Sequence, residues 1–174
     1  DWLYGEFLLK YDNLKISLTE GGVGWVPYFL ERAEFTLDHH GAWTKSNFGG
    51  KRPREVFQEH FLTCFIEDES GLRNRDLVGI ENILFECDYP HSDSTWPVTP
   101  ENTFRQLDNV GLSDEEIDKV THLNAIKHFN FDPIALLGRD NCTVGALRER
   151  AKQAGVDTRE KSGGGKSAKM SDRS

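Results

Sequence analysis

Acidic side chains stand where three short apolar segments of the chain end. Glu20, Asp88 and the run Glu67-Asp68-Glu69 each follow such a segment, and His91 lies just past Asp88. If the segments are parallel strands, these side chains meet at one edge of a sheet, because adjacent strands lie only about 4.8 Å apart. Carboxylates that converge repel one another, so a shared proton or a cation has to stabilise them. A divalent metal is the simplest cation to expect.

Each candidate residue also has a structural interpretation. Glu20 is either a solvated acid before a glycine turn or a site residue, since Gly21-Gly22-x-Gly24 lets backbone approach a ligand closely. Asp88 is either a turn cap or a site residue, and we interpret it as a site residue. His91 either orients the Asp88 carboxylate and contacts substrate or is exposed polar surface. We interpret the run 67–69 as a solvated acidic turn.

The elements that must position these residues are readable from periodicity. Short runs rich in apolar and β-branched residues predict strands at 14–19, 61–66 and 83–87. Apolar residues at helical spacing predict a helix over 26–37, and Ser113-Asp114-Glu115-Glu116 predicts the start of another. Strands that alternate with helices indicate βαβ units and a parallel α/β sheet.

Three strands do not close a barrel, which needs eight strands and about 250 residues. The chain therefore forms either a small open sheet or part of a barrel. Trp25 and Trp96 follow the first and third predicted strands. They either form walls of a pocket at the sheet edge or pack in the core.

Composition excludes several classes of function. The 174 residues carry a net charge of -8, which argues against a nucleic-acid partner. No apolar run approaches the roughly 20 residues of a membrane helix. Three widely spaced cysteines predict no disulfide framework, so a reducing, cytoplasmic setting is expected. The first residue is Asp rather than Met, which leads us to expect a chain that starts partway through a larger protein.

The last part of the chain has a different composition from the rest. Gly, Ser and Lys predominate from Lys161 onward, and such a segment buries too little apolar surface to offset the entropy of ordering. We therefore predict an α/β body over residues 1–150 and a flexible, disordered C-terminal tail over 151–174.

Two segments resemble the amidohydrolase-related barrels of the amidohydrolase 2 family. The sequence LKISLTEGGVGWVP at 14–27, followed by a helix containing LER, is similar to strand six of that family. The sequence ILFECDYPHSDSTWP at 83–97 is similar to its strand eight, and Asn124-Ala125 with Phe131-Asp132 is similar to its closing helix. The resemblance covers most of residues 1–150.

The resemblance implies a metal-dependent (β/α)8 TIM barrel of which this chain forms strands six to eight with their helices. It implies that Asp88 is a metal ligand or proton shuttle at a bound Zn or Mn ion. Many relatives carry His where this chain has Glu20, so Glu20 would take a different role, such as that of a general base. His91, Trp25 and Trp96 would then contact substrate.

The resulting hypothesis is the C-terminal part of a metal-dependent hydrolase or carboxy-lyase that acts on a small, possibly aromatic, acid. By itself the chain has an incomplete metal site, and we expect little activity from it alone. A homo-oligomer is compatible with this hypothesis. The alternative is a small non-catalytic α/β module that binds a ligand or a partner.

Overall fold

Three parallel strands form the centre of the molecule. The computed structural model describes residues 1–156. Strands β1 (Ile16–Leu18), β2 (Phe61–Phe65) and β3 (Ile83–Phe85) pair side by side in the order β1-β2-β3. Each strand lies inside the segment predicted for it and is shorter, because hydrogen-bonded pairing stops where the chain turns into the acidic loops. The predicted parallel α/β sheet is confirmed.

Helices connect the strands and cover one face of the sheet. Those before and between the first two strands are α1 (Phe7–Lys10), α2 (Val26–Thr44) and α3 (Pro53–His60). Those around β3 are α4 (Glu69–Arg73), α5 (Arg75–Val78) and α6 (Thr99–Asn109). The remainder are α7 (Asp114–Asp118), α8 (Asn124–Phe129), α9 (Pro133–Leu137) and α10 (Val144–Gln153), with a π-helical turn at Lys119–Leu123 between α7 and α8.

The helix boundaries follow local chemistry. The helix predicted over 26–37 is confirmed as α2, which has Pro in its first turn and extends to Thr44. The predicted capping box is also present, since the Ser113 hydroxyl accepts from the Glu116 amide and the Glu116 carboxylate accepts from the Ser113 amide.

The apolar core lies between the sheet and the long helices. Leu30 of α2 and Phe57 of α3 pack with Phe65 and Ile83 from the outward face of the sheet, and all four side chains are buried. All five residues of β2 are buried, as expected of the central strand. Leu62, Cys64 and Leu84 form a smaller apolar group on the opposite face of the sheet.

The predicted domain boundary falls near the end of the described residues. Helix α10 continues to Gln153, past residue 150, and the predicted tail lies outside the described residues from 157 onward. Both the boundary and the flexible tail stay predictions. Over residues 1–156, no helix combines the length and apolar character needed to cross a membrane.

Candidate functional site at the carboxyl edge of the sheet

The ends of β1 and β3 bring three predicted site residues together. A carboxylate oxygen of Glu20, a carboxylate oxygen of Asp88 and a ring nitrogen of His91 all lie within 4.8 Å of one another. We call these residues the carboxyl-edge cluster. Among the described residues, it is the one group of three acidic, histidine or cysteine side chains placed to share a metal ion.

Backbone geometry turns both acids of the cluster out of their strands. Glu20 and Asp88 have positive φ values of 61° and 51°, in the left-handed region. An acidic side chain tolerates this region better than a β-branched one, because its short polar group can bond locally. Each strand therefore ends in a sharp turn that directs the next carboxylate toward the edge of the sheet.

Asp88 and His91 form a hydrogen-bonded pair. The His91 Nδ1 lies 2.9 Å and 2.8 Å from the two carboxylate oxygens of Asp88. The Asp88 side chain is 14% exposed, whereas that of His91 is 66% exposed. This hydrogen bond to Asp88 raises the pKa of His91 above its ordinary value, because the carboxylate stabilises the imidazolium.

Glu86 is a fourth member of this environment that the sequence analysis missed. Its Oε1 accepts a hydrogen bond of 2.7 Å from the backbone N–H of Glu20. Burial foremost, and then the charges of Asp88, Glu20 and Asp93, raise the pKa of Glu86. Its position carried a signal: side chains alternate along a strand, so Glu86, directly after β3, is expected on the face of Leu84.

The cluster fits a divalent cation as an incomplete set of ligands. Two carboxylates and an imidazole are donors that Zn and Mn accept. Two ligands placed about 2.1 Å from one ion lie at most about 4.2 Å apart. The donor atoms of the cluster lie within 4.8 Å of one another, so they are close to this limit. Small rotations of the exposed Glu20 and His91 side chains would suffice. Burial is the main reason that the pKa of Glu86 is raised, and the neighbouring charges of Asp88, Glu20 and Asp93 add to it.

The acid after β2 has a different environment from the one predicted. Asp68 was interpreted as part of a solvated acidic turn, but its carboxylate accepts hydrogen bonds from three backbone N–H groups. The Val23 and Gly24 donors lie in the loop between β1 and α2, a contact that only the tertiary fold creates, whereas the Gly71 donor lies in α4. Asp68 therefore does not join the carboxyl-edge cluster.

The two tryptophans lie in separate surroundings. Trp25 packs edge-on against Phe29, and its indole N–H donates to the Gly22 carbonyl at 3.0 Å. Trp96 packs against Tyr89 and lines a cavity of about 610 Å³ that also includes Cys87 and residues of α10. Trp25 is not among the described residues that line this cavity. Their substrate-binding roles stay predictions.

A protein-family model matches most of the chain. The family model for the amidohydrolase 2 family, described as amidohydrolase, matches residues 1–131. The chain belongs to the amidohydrolase 2 family. The resemblance found in the strand-end motifs is thereby confirmed. No curated protein sequence matches the chain.

Solved structures of amidohydrolase relatives share the fold. 5-Carboxyvanillate decarboxylase LigW from Sphingomonas paucimobilis is 20% identical, with a TM-score of 0.59 over 75% of this chain and 38% of its own. An amidohydrolase from Mycobacterium avium subsp. paratuberculosis is also 20% identical, with a TM-score of 0.59 over 72% of this chain and 30% of its own. A dihydroxybenzoic acid decarboxylase from Polaromonas sp. JS666, solved with manganese and the inhibitor 2-nitroresorcinol, is 21% identical, with a TM-score of 0.54 over 74% of this chain and 37% of its own.

The coverage sets what these amidohydrolase neighbours show. The chain spans less than two fifths of the length of each. The fold prediction is therefore confirmed in its coarser form, as a small parallel α/β sheet similar to part of an amidohydrolase barrel. The assignment of the three strands as six to eight stays a prediction.

Proposed function

We propose that the chain supplies part of the active site of a metal-dependent amidohydrolase-family enzyme that removes CO2 from a small aromatic acid. The observation that carries the proposal is the convergence of Glu20, Asp88 and His91 at the carboxyl edge of the sheet. Enzymes built on parallel α/β barrels collect their catalytic groups at that edge. The three strands would be strands six to eight of the barrel.

The proposal gives each residue of the carboxyl-edge cluster a role toward a metal. Asp88 would ligate the ion, with Glu20 and His91 beside it, and further ligands would come from strands that this chain does not contain. When bound, a Zn or Mn ion acts as a Lewis acid that polarises the substrate and lowers the pKa of a bound water. The neighbour solved with manganese supports this choice of metals.

The chain's own residues would bind the substrate and move a proton. Decarboxylation replaces a carboxylate by hydrogen, so one proton must reach the carbon that loses CO2. Glu20 is exposed at the cluster and can hold that proton at a carboxyl oxygen. In its imidazolium form, which Asp88 stabilises at Nδ1, the exposed His91 ring would donate a hydrogen bond from Nε2 to an anionic substrate. Trp25 is 41% exposed beside the Glu20 loop and offers a face for an aromatic ring.

Two of the three neighbours favour decarboxylation over hydrolysis. Their names are those of decarboxylases that act on 5-carboxyvanillate and dihydroxybenzoic acid. Both substrates are small aromatic acids, which agrees with the exposed indole and imidazole at the cluster. Hydrolysis of a C–N or C–O bond would use the same metal and remains the competing reaction of the family.

The test measures CO2 release by the natural protein that contains this sequence. The protein is loaded with Mn²⁺ or Zn²⁺ and given dihydroxybenzoate, 5-carboxyvanillate and a set of esters and amides. We expect CO2 from an aromatic acid and its loss in Asp88→Asn. The matched control is Asp93→Asn, which removes an exposed acid from the same loop and should keep most of the activity.

Three outcomes would overturn the proposal. Turnover at the wild-type rate in Asp88→Asn would remove the metal role of this residue. Cleavage of the esters or amides without CO2 release would replace decarboxylation by hydrolysis. Cooperative unfolding of the 174-residue chain, with no metal bound and no turnover in the natural protein, would favour the non-catalytic module.

A further inference from the structure

The carboxylate of Asp68 connects two loops at the carboxyl edge of the sheet. Its Oδ2 accepts from the backbone N–H groups of Val23 and Gly24, each at 2.7 Å. Its Oδ1 accepts from the N–H of Gly71, also at 2.7 Å. The bond to Gly71 is an ordinary N-cap of α4. The two bonds from Oδ2 have no capping function, because they reach the loop between β1 and α2.

Glycines line the space that this carboxylate occupies. A Cβ atom built on Gly22 would lie 2.9 Å from Asp68 Oδ2, and one on Gly24 would lie 3.1 Å from Oδ1. A Cβ on Gly71 would lie 2.2 Å from a methyl carbon of Val23 and 2.7 Å from the Gly24 amide nitrogen. The glycines therefore serve the approach of two protein loops. Gly22 and Gly24, which the sequence pattern predicts to admit a ligand, instead admit the Asp68 carboxylate.

We call the Asp68 carboxylate with its bonds to Val23 and Gly24 the Asp68 clamp. Helix α6 supports this clamp. The buried Gln106 side chain of α6 accepts from the Asp68 backbone N–H at 3.0 Å and donates to the Ile66 carbonyl at 2.8 Å. These bonds hold the end of β2 against α6. Asp68 thus starts from a rigid point and extends its carboxylate toward the neighbouring loop.

The clamped loop is the one that carries Glu20. Glu20 lies three residues before Val23, and the backbone N–H of Glu20 donates to the Glu86 carboxylate. The indole of Trp25 also bonds the Gly22 carbonyl. The loop is therefore fixed at its start by Glu86 and at its end by Asp68. These bonds restrict the backbone between Glu20 and Val23.

We propose that Asp68 is a positioning residue of the carboxyl-edge cluster: its carboxylate fixes the β1–α2 loop so that Glu20 faces Asp88. The inference rests on the proposed function, because it gives a purpose to the position of Glu20. The hydrogen bonds of the Asp68 carboxylate within residues 1–156 go to Val23, Gly24 and Gly71 and not to Glu20. It acts through the backbone of Val23 and Gly24.

Asp68→Ser separates this role from simple helix capping. A Ser hydroxyl can still accept from the Gly71 amide as an N-cap, but it is too short to reach Val23 and Gly24 as well. The matched control is Asp132→Ser, because Asp132 caps α9 by accepting from the Ile134 and Ala135 amides at 2.9 Å and 3.0 Å. Both variants are made in the natural protein that contains this sequence, because the chain by itself would supply only part of the metal site.

Two measurements are made on each variant. Binding of Mn²⁺ is followed by electron paramagnetic resonance, and Asp68→Ser should weaken it about tenfold, as loss of an outer support does at metal sites. Amide hydrogen exchange, measured without metal, should be about tenfold faster at Val23 and Gly24, because their acceptor is lost. Asp132→Ser should change neither quantity. In Glu20→Gln, the added Asp68→Ser substitution should weaken Mn²⁺ binding no further.

Gly71→Ala tests the same clamp without altering Asp68. Its new methyl group would displace Val23 and Gly24, so the same loss of Mn²⁺ affinity is expected. Gly145→Ala is the matched control, because a Cβ there meets nothing within 4 Å. If Gly71→Ala fails to fold, Asp68→Ser decides the question by itself.

The outcomes separate this inference from the proposed function. If the wild-type natural protein binds no Mn²⁺, the proposed metal role of the cluster fails, and the exchange rates at Val23 and Gly24 still decide the positioning role of Asp68. Unchanged exchange there in Asp68→Ser would overturn the positioning role. Mn²⁺ affinity equal to that of the wild type, despite faster exchange, would also overturn it, because the loop would then not govern Glu20.

Discussion

The two edges of the sheet treat their polar side chains in opposite ways. At the amino edge, Asn124 is 1% exposed and donates to the carbonyls of Ile80 and Ile83 at 2.8 Å and 2.9 Å. Asn82 is 6% exposed and donates to the carbonyls of Gln58 and Phe61, each at 2.7 Å. Each amide group at this edge is bonded twice to backbone.

At the carboxyl edge the polar groups oppose one another. Glu20, Glu86 and Asp88 bring three carboxylates together, and over residues 1–156 the hydrogen bonds given to them come from one backbone N–H and the His91 ring. Burial and like charge raise the pKa of Glu86. The carboxyl edge therefore concentrates negative charge, which lowers the stability of the fold.

This contrast in hydrogen bonding indicates which polar groups of an α/β fold belong to a functional site. Buried polar groups with complete hydrogen bonds hold strands and helices together. Acidic groups without enough donors are costly unless a cation or proton arrives, so they mark a site. Asp68 belongs to the first kind although it lies at the second edge, which shows that hydrogen bonds rather than position decide the role.

The largest effect on stability is expected at the amino edge. Asn124→Ala removes a buried side-chain donor from the Ile83 carbonyl and one of two donors from the Ile80 carbonyl, which keeps the Ile83 N–H, so the free energy of unfolding should fall by about 2 kcal/mol. Urea unfolding measures the loss, and the m-value should not change. Asn102→Ala, which removes an acceptor of a surface bond from Arg105, should cost less than about 0.5 kcal/mol.

The same variant also tests whether the two edges of the sheet are independent of each other. Asn124→Ala should leave Mn²⁺ affinity unchanged, because its bonds lie at the far ends of the strands. Weaker Mn²⁺ binding in a folded Asn124→Ala chain would mean that the two edges are coupled through the strands. The separation of stability from function would then be wrong.

The strands and the edge they share could be predicted from sequence because both depend on short-range patterns. Alternation and apolar runs placed β1, β2 and β3 to within a few residues, and parallel pairing then implied that Glu20 and Asp88 converge. The hydrogen bond from His91 to Asp88 is equally local, within one turn.

The remaining features depend on contacts between distant segments. The Asp68 clamp joins residues separated by more than forty positions, and nothing at 67–69 distinguishes a clamped acid from a solvated one. Gln106 supports it from a helix after β3. The separate surroundings of Trp25 and Trp96 likewise follow from how the loops pack, which periodicity does not encode.

A medium effect is expected from changing the type of ligand at residue 20. Glu20→His replaces a hard carboxylate by an imidazole, a substitution that a backbone with φ of 61° accommodates. The affinity for Zn²⁺ relative to Mn²⁺ should rise about tenfold, which is about 1.4 kcal/mol. Competition between the two ions measures the ratio. Glu20→Gln is the control and should weaken both ions; an unchanged ratio in Glu20→His would mean that residue 20 does not reach the metal.

The smallest effect concerns the pH dependence of Glu86. Because burial raises the folded-state pKa of Glu86 above its ordinary value, its contribution to stability is fully present below that ordinary value and is lost as pH rises through the folded-state pKa. Glu86→Gln does not titrate and can still accept from the Glu20 amide. Without divalent metal, the variant should therefore match the wild type near pH 4 and exceed its stability near pH 7 by less than about 1 kcal/mol, since partial exposure screens the charge.

The control for this prediction lies at the amino edge and completes the comparison. Glu81→Gln removes an exposed acid that pairs with Lys119 at 2.9 Å just before β3. Its effect should stay within about 0.5 kcal/mol at both pH values, because exposed ion pairs contribute little. If Glu86→Gln gave the same small, pH-independent change as Glu81→Gln, the carboxyl edge would hold no excess of charge. The electrostatic reason for a cation there would then disappear, whatever the geometry of Glu20 and Asp88.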